Sequence, residues 1–213
     1  VYGCPGSTKE YVMSEEVKYV SEVSDPQKID LRTKRLDIMK KYMDADQAVR
    51  IQYSSKYANV SNSWKKWQGE AKGIIKMKTV KSKKEYEERF RQWAKGTRYD
   101  GLIEKLDVLY AERFPAYLAY EYYTETARAI EILSLASSVK SSLENDGSAI
   151  SSLAESFFKD YCQPIDEEIF VAMMEAFDKN MDPGMKPQYF KDMMNKYGSA
   201  QAWKDDLYSK TVF

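Results

Sequence analysis

The chain has 213 residues, 43% hydrophobic and 31% charged, which is the balance of a folded chain with one sizeable core or two smaller ones. Lys+Arg and Asp+Glu both total 33, so no net charge draws it to nucleic acid or to an anionic membrane, and no apolar run approaches the roughly 18–20 residues that span a bilayer. There is no histidine, which excludes Ser-His-Asp and Cys-His mechanisms and histidine-ligated metal sites assembled within this chain.

The first residue is Val1, and no signal peptide is visible, so we expect the chain to begin inside something longer or after processing. Gly3, Pro5 and Gly6 mark a turn or the end of a strand in the opening segment. Ser24-Asp25-Pro26 reads as a helix start, a capping side chain followed by proline in the first turn. From there to about Tyr57, residues Leu36, Met39, Met43, Val49 and Tyr53 share one stripe, with Asp46 and Arg50 one turn apart and placed to form an ion pair.

Residues 57 to 65 read as a short polar stretch between two long helices. Ser61 or Asn62 is the expected cap of the second, which carries Trp64, Trp67, Ala71 and Ile74 at helical spacing and continues through Tyr86, Phe90 and Trp93 to Gly96. Gly69 and Gly73, four apart, offer room for another backbone. Lysines 76, 78, 81, 83 and 84 form a basic run, but Glu85, Glu87 and Glu88 follow at once, so it reads as a solvated face and predicts no nucleic-acid partner. A third long helix is expected from about Tyr99 to Ser138, with Leu102, Leu106, Leu109 and Tyr117 inward and Pro115 kinking or interrupting it.

Asn145-Asp146-Gly147 is a break. Shorter helices are expected near 148–161, 165–179, 186–197 and 199–210, punctuated by Pro164, Pro183-Gly184, Pro187 and Gly198. The fold class is therefore all-α, three long helices followed by several shorter ones. No internal repeat recurs, and no segment alternates with period two for long enough to suggest a sheet.

Several constellations are set aside. Asp178 to Asp182 opens like a calcium loop, yet Pro183 and Tyr189 stand where an EF-hand needs glycine and a bidentate glutamate. Glu121, Glu125 and Glu131 lack the histidines of a carboxylate diiron bundle, and Arg128 is placed to pair with Glu125 or Glu131. Asn59-Val60-Ser61 matches a glycosylation acceptor, a pattern common by chance. Cys4 and Cys162 have no metal-site spacing and are expected as unpaired thiols. Neither a metal nor a cofactor is predicted.

Ser61-Asn62-Ser63-Trp64-Lys65, followed by Gly69-Glu70 and Gly73, resembles the SN-x-W-K…G signature of the dipeptidyl-peptidase 7 and 11 family of bacterial serine peptidases. Cys4 to Tyr11 is similar to that family's PG-x-T-x-x-Y segment. Asp30-Leu31-Arg32, Asp46 to Ile51 and Leu207 to Phe213 also follow its pattern, while residues of about 100–160 match loosely. The resemblance implies a helical domain inserted into a chymotrypsin-like double β-barrel, with residues 1–24 as connector and 25–213 as the cap over the cleft. It further implies removal of dipeptides from peptides with a free N-terminus, in the bacterial periplasm or at the cell surface, by a parent that is often a homodimer and needs no metal. The triad lies outside this chain, so no catalytic residue is expected here. By the same resemblance Asn62 is the candidate contact for the substrate's α-amino group, with Trp64 and Trp67 packing its helix. Ser63 stands where the family commonly has an aromatic residue. A free-standing helical module that binds a protein partner through an aromatic groove is the alternative.

Overall fold

The computed structural model describes residues 11–210, and among them every regular element is helical. The chain forms two compact units: residues 11–26 with 67–115, and residues 27–66 with 116–210. None of the helices is long and apolar enough to cross a membrane. Segments 1–10 and 211–213, and with them Cys4, lie outside the described residues.

In chain order the helices are α1 (Ser14–Tyr19), a π-helical turn (Val20–Ser24), α2 (Asp25–Ala45), α3 (Gln47–Lys76), α4 (Thr79–Ala94), α5 (Leu102–Glu125), a 3-10 turn (Ala127–Ala129), α6 (Glu131–Asn145), α7 (Ile150–Lys159), α8 (Gln163–Asn180), α9 (Gln188–Tyr197) and α10 (Ala200–Lys210). The three longest helices, α2, α3 and α5, precede the shorter α6 to α10, as the patterning implies.

Five boundaries differ from those read in the sequence. Ser24-Asp25-Pro26 starts no helix, because the backbone is helical from Ser14 through the π-helical turn into α2, with Asp25 itself at φ −66° and ψ −45°. The polar stretch from Tyr57 to Lys65 is no linker: it lies inside α3, because Tyr53, Tyr57, Val60 and Trp64 carry a continuous packed stripe through it. The break falls instead at Asp46, whose carboxylate accepts from Ala48 N at 2.7 Å and closes the junction between α2 and α3. Arg50 turns away from Asp46 to the Met43 carbonyl (2.9 Å) and Asp44 (3.3 Å), so the expected pair is not made. A second break, at Lys78, uses a left-handed residue, φ 52°. The third helix runs through Pro115 without interruption and stops at the 3-10 turn, where α6 starts afresh.

The first unit is thinly packed. Val17, Tyr19, Ala94 and Ile103 are its buried apolar side chains, and Tyr19 stacks on Phe114 with ring centroids 4.3 Å apart. The expected inward positions Leu102 and Leu109, and Tyr86 and Trp93, are exposed; Ile103 points in instead. What joins α1 to α4 is polar. The buried carboxylate of Glu87 accepts from both Ser14 N and Ser14 Oγ at 2.6 Å, satisfying the first turn of α1.

The second unit holds the whole hydrophobic core. Ile165, Ile169, Phe170 and Met173 of α8 are completely buried, together with Ile130 and Tyr53. Trp203 and Tyr208 of α10 meet Phe170 edge-on at 5.2 and 6.1 Å. At its centre Asp166 accepts from Glu131 N (2.6 Å), Ile132 N (3.0 Å), Tyr208 Oη (2.9 Å) and Tyr161 Oη (3.3 Å). Burial raises its pKa against the Glu131, Ile132 and Tyr208 donors. A carboxylate from α8 thus supplies the cap that α6, starting after Ile130, lacks in its own sequence.

Candidate functional site

The candidate residue, Asn62, sits midway along α3, nine residues after Tyr53. Nine residues at about 100° each place it half a turn round the helix from that buried tyrosine, and it is accordingly exposed. Its neighbours in sequence fix the backbone. Trp64 Nε1 donates to Thr33 Oγ1 of α2 at 2.9 Å, and the Val60 carbonyl accepts from Arg32 Nη1 at 3.3 Å. One and two turns earlier, Lys56 holds Glu131 (2.5 Å) and the Asp160 carbonyl, and the Tyr53 hydroxyl accepts from Cys162 N at 3.2 Å.

Among the described residues the Asn62 carboxamide makes no hydrogen bond, so its oxygen and both its N–H donors face outward unengaged. It does not cap a helix, since its own backbone lies in the α3 interior. The arrangement is a rigid, laterally pinned helix presenting one free amide. Geometrically it can accept from an ammonium group, but it offers no nucleophile.

Burial pushes the Cys162 thiol up, away from thiolate reactivity; it is free rather than disulfide-bonded. The three glutamates of the rejected metal bundle do not share a site: Glu121 pairs with Lys28 (3.4 Å), Glu125 takes Arg32 in a fork at 2.8 and 2.9 Å, and Glu131 holds Lys56. With its expected partners so occupied, Arg128 forms neither predicted pair. Asp178 accepts from Lys186 at 2.7 Å, and Asp182 from Gly184 N at 2.7 Å, so that segment is a self-contained helix-ending turn. The basic run is matched locally, Lys84 reaching Glu15 at 3.2 Å and Lys81 reaching Glu85 at 3.8 Å. Among the described residues no atom beyond their own helix backbone comes within 4 Å of where a Cβ would stand on Gly69 or Gly73, so no other backbone packs against them.

Comparison with known proteins decides the family, because the Peptidase S46 model matches residues 1–213. This chain belongs to the Peptidase S46 family. An Asp/Glu-specific dipeptidyl-peptidase of Capnocytophaga gingivalis is 30% identical over 227 residues, covering 99% of this chain and 31% of the relative. The dipeptidyl-peptidase 7 of Phocaeicola vulgatus is 29% identical over 230 residues, covering all of this chain and 32% of the relative. The chain therefore spans about a third of the length of the curated relatives it matches. Among solved structures, DPP11 of Porphyromonas endodontalis in complex with the dipeptide Arg-Glu superposes with a TM-score of 0.83 at 24% identity, over 98% of this chain and 32% of that one. At that identity the match speaks for the fold: the all-helical arrangement of this S46 chain recurs as one part of a larger structure.

The sequence pattern does not flag Asp166, and it reads Glu87 as part of a solvated face, yet Glu87 is buried and both carboxylates hold helix starts. Each acts on a helix distant in sequence, so only the folded structure makes its role visible. Arg35 was likewise unmarked.

Proposed function

We propose that this chain is the helical cap of a serine-type dipeptidyl-peptidase, residues 25–213 covering the cleft of a catalytic barrel contributed by the rest of the parent, with residues 1–24 as connector. In this reading the cap holds the α-ammonium of a peptide substrate through Asn62, the parent removes dipeptides from free N-termini, and the chain alone is inactive. Membership of the S46 family along the whole chain supports it over a free-standing interaction module. The periplasm or cell surface as its location, and a homodimeric parent, belong to the same proposal.

The observation that carries the role of Asn62 is its unengaged carboxamide on a pinned helix. Fixing the amine at one point sets the distance from it to the bond that is cut, which gives a two-residue product by positioning rather than by a new chemical group. Because α3 is braced at Val60 and Trp64, the amide is held where a loop would let it drift. The test is Asn62→Ala in the full-length parent. Loss of one charge-assisted hydrogen bond, about 2 kcal/mol, lowers kcat/KM for a dipeptide release substrate by about 30-fold. Unchanged kinetics would remove Asn62 from the reading.

A further inference from the structure

Arg35 of α2 is the one described arginine with a buried Nε that has no hydrogen-bond partner, and no described residue forms an ion pair with it. Leaving a guanidinium donor desolvated and unmatched is costly. The carboxylate that acts on it most strongly, Glu125, is already taken in both its oxygens by Arg32. Burial pulls the Arg35 pKa down, Glu125, Glu131 and Asp166 only partly oppose this, and the like charge of Arg32 adds to the cost.

Arg35 lines a pocket of about 490 Å³ within the second unit. Arg128, also without an ion pair among the described residues, stands at the same pocket. Lys56 and Glu131 line it too but neutralise each other at 2.5 Å, so the two arginines leave the pocket with a surplus of positive charge. Val60, Leu135 and Phe157 give the pocket an apolar part, and Ser134 and the exposed Ser138 of α6 line it as well. Val60 and Asn62 are two residues apart on α3, about 200° round the helix, so the pocket and the exposed amide occupy different sides of it.

We propose that this pocket binds a small amphiphilic carboxylate, its anionic head on Arg35 and Arg128 and its apolar body against Val60, Leu135 and Phe157. A guanidinium matches a carboxylate in a planar fork, and two of them can share its oxygens. The apolar wall adds affinity for a carbon body that a bare inorganic anion does not have. Two sources share this chemistry: a fatty acid, and the C-terminal carboxylate of a hydrophobic peptide. Neither needs the amine contact assigned to Asn62.

The test is calorimetric titration of the full-length parent with decanoate, with N-acetyl-Leu-Phe, with N-acetyl-Leu-Phe amide and with inorganic phosphate. Acetylation removes the ammonium that Asn62 would hold, so failure here is separate from failure of the proposed function. Saturable binding of either carboxylate, absent for the amide and unchanged in Asn62→Ala, is the expected result, and the acid that binds identifies the source. In Arg35→Met the affinity falls by about 10-fold or more, as loss of a charge-assisted contact predicts. Ser138→Trp, at an exposed lining residue, fills the pocket without touching the core and produces the same loss should Arg35→Met fold poorly. Binding of neither acid, equal binding of acid and amide, undiminished binding in the foldable variants, or phosphate competing as well as the acids would overturn the proposal.

Discussion

The two units use the same device in unlike surroundings. In each, a buried carboxylate from one helix grips the first turn of another: Glu87 holds Ser14 in the first, and Asp166 holds Glu131 and Ile132 in the second. Around Asp166 lies a continuous core of fully buried Ile, Met and Phe side chains. Around Glu87 there are few, while Trp93, Val108 and Leu109 stay exposed. A hydrogen-bonded cap fixes direction, but it contributes only a fraction of what apolar burial does. The difference teaches that the second unit carries the stability of the chain and the first is oriented more than it is packed. It also fits the placement of Asn62, whose bracing contacts to Thr33 and Arg32 belong to the well-packed unit.

The sharpest way to break the comparison is to empty the second core. Phe170 is completely buried and touches both Trp203 and Tyr208. Phe170→Ala is expected to cost about 3–5 kcal/mol, the lost transfer free energy plus the cavity left behind. Urea unfolding followed by tryptophan fluorescence measures it. A loss below about 1 kcal/mol would mean that the core does not set the stability. Hydrogen exchange adds a second reading: amides of α4 should exchange well before those of α8.

Asp166→Asn comes next, at about 2–3 kcal/mol, because an amide cannot accept from two backbone N–H groups and two tyrosines as a carboxylate does. The sign of its pH dependence follows from burial. The folded pKa lies above the ordinary 3.8, so the folded state binds that proton more tightly than the unfolded state. The stabilising contribution is therefore fully present below the ordinary value and is lost as pH rises through the raised one. The stability gap between wild type and Asp166→Asn should narrow over that window and stay constant above it. A gap that widens with pH would show that the four donors outweigh desolvation.

Much of this architecture is written locally. Asn145 to Gly147 separates α6 from α7, and the prolines and glycines after residue 160 delimit the short helices to within a few residues, whereas Ser24-Asp25-Pro26 starts no helix and lies where the π-helical turn runs on into α2. The breaks that escaped the pattern, at Asp46, Lys78 and Thr126, contain neither proline nor glycine, so tertiary contacts place them. Asn59, Ser61, Asn62 and Ser63 are weak helix formers and read locally as a linker; packing of Val60 and Trp64 overrides that propensity. The site was legible in the same uneven way. Resemblance pointed to Asn62, but only coordinates reveal that its amide is unengaged. Arg35 looks like any solvated helix arginine until the competing claims on Glu125 are seen.

The smallest effect tests the other half of the comparison. Glu87→Gln keeps the shape of the side chain but replaces a double carboxylate acceptor with a single amide oxygen. Ser14 N and Ser14 Oγ, both at 2.6 Å, then compete for one partner. Loss of one charged hydrogen bond in a thinly packed unit should cost about 1–2 kcal/mol. The loss should appear as faster exchange of α1 and α4 amides, with the α8 amides unchanged, since the core of the second unit does not depend on Glu87. If α8 exchange accelerates equally, the two units unfold as one and the division of labour between them fails. If neither changes, the buried Val17 and the Tyr19–Phe114 stack hold α1 in place without the carboxylate.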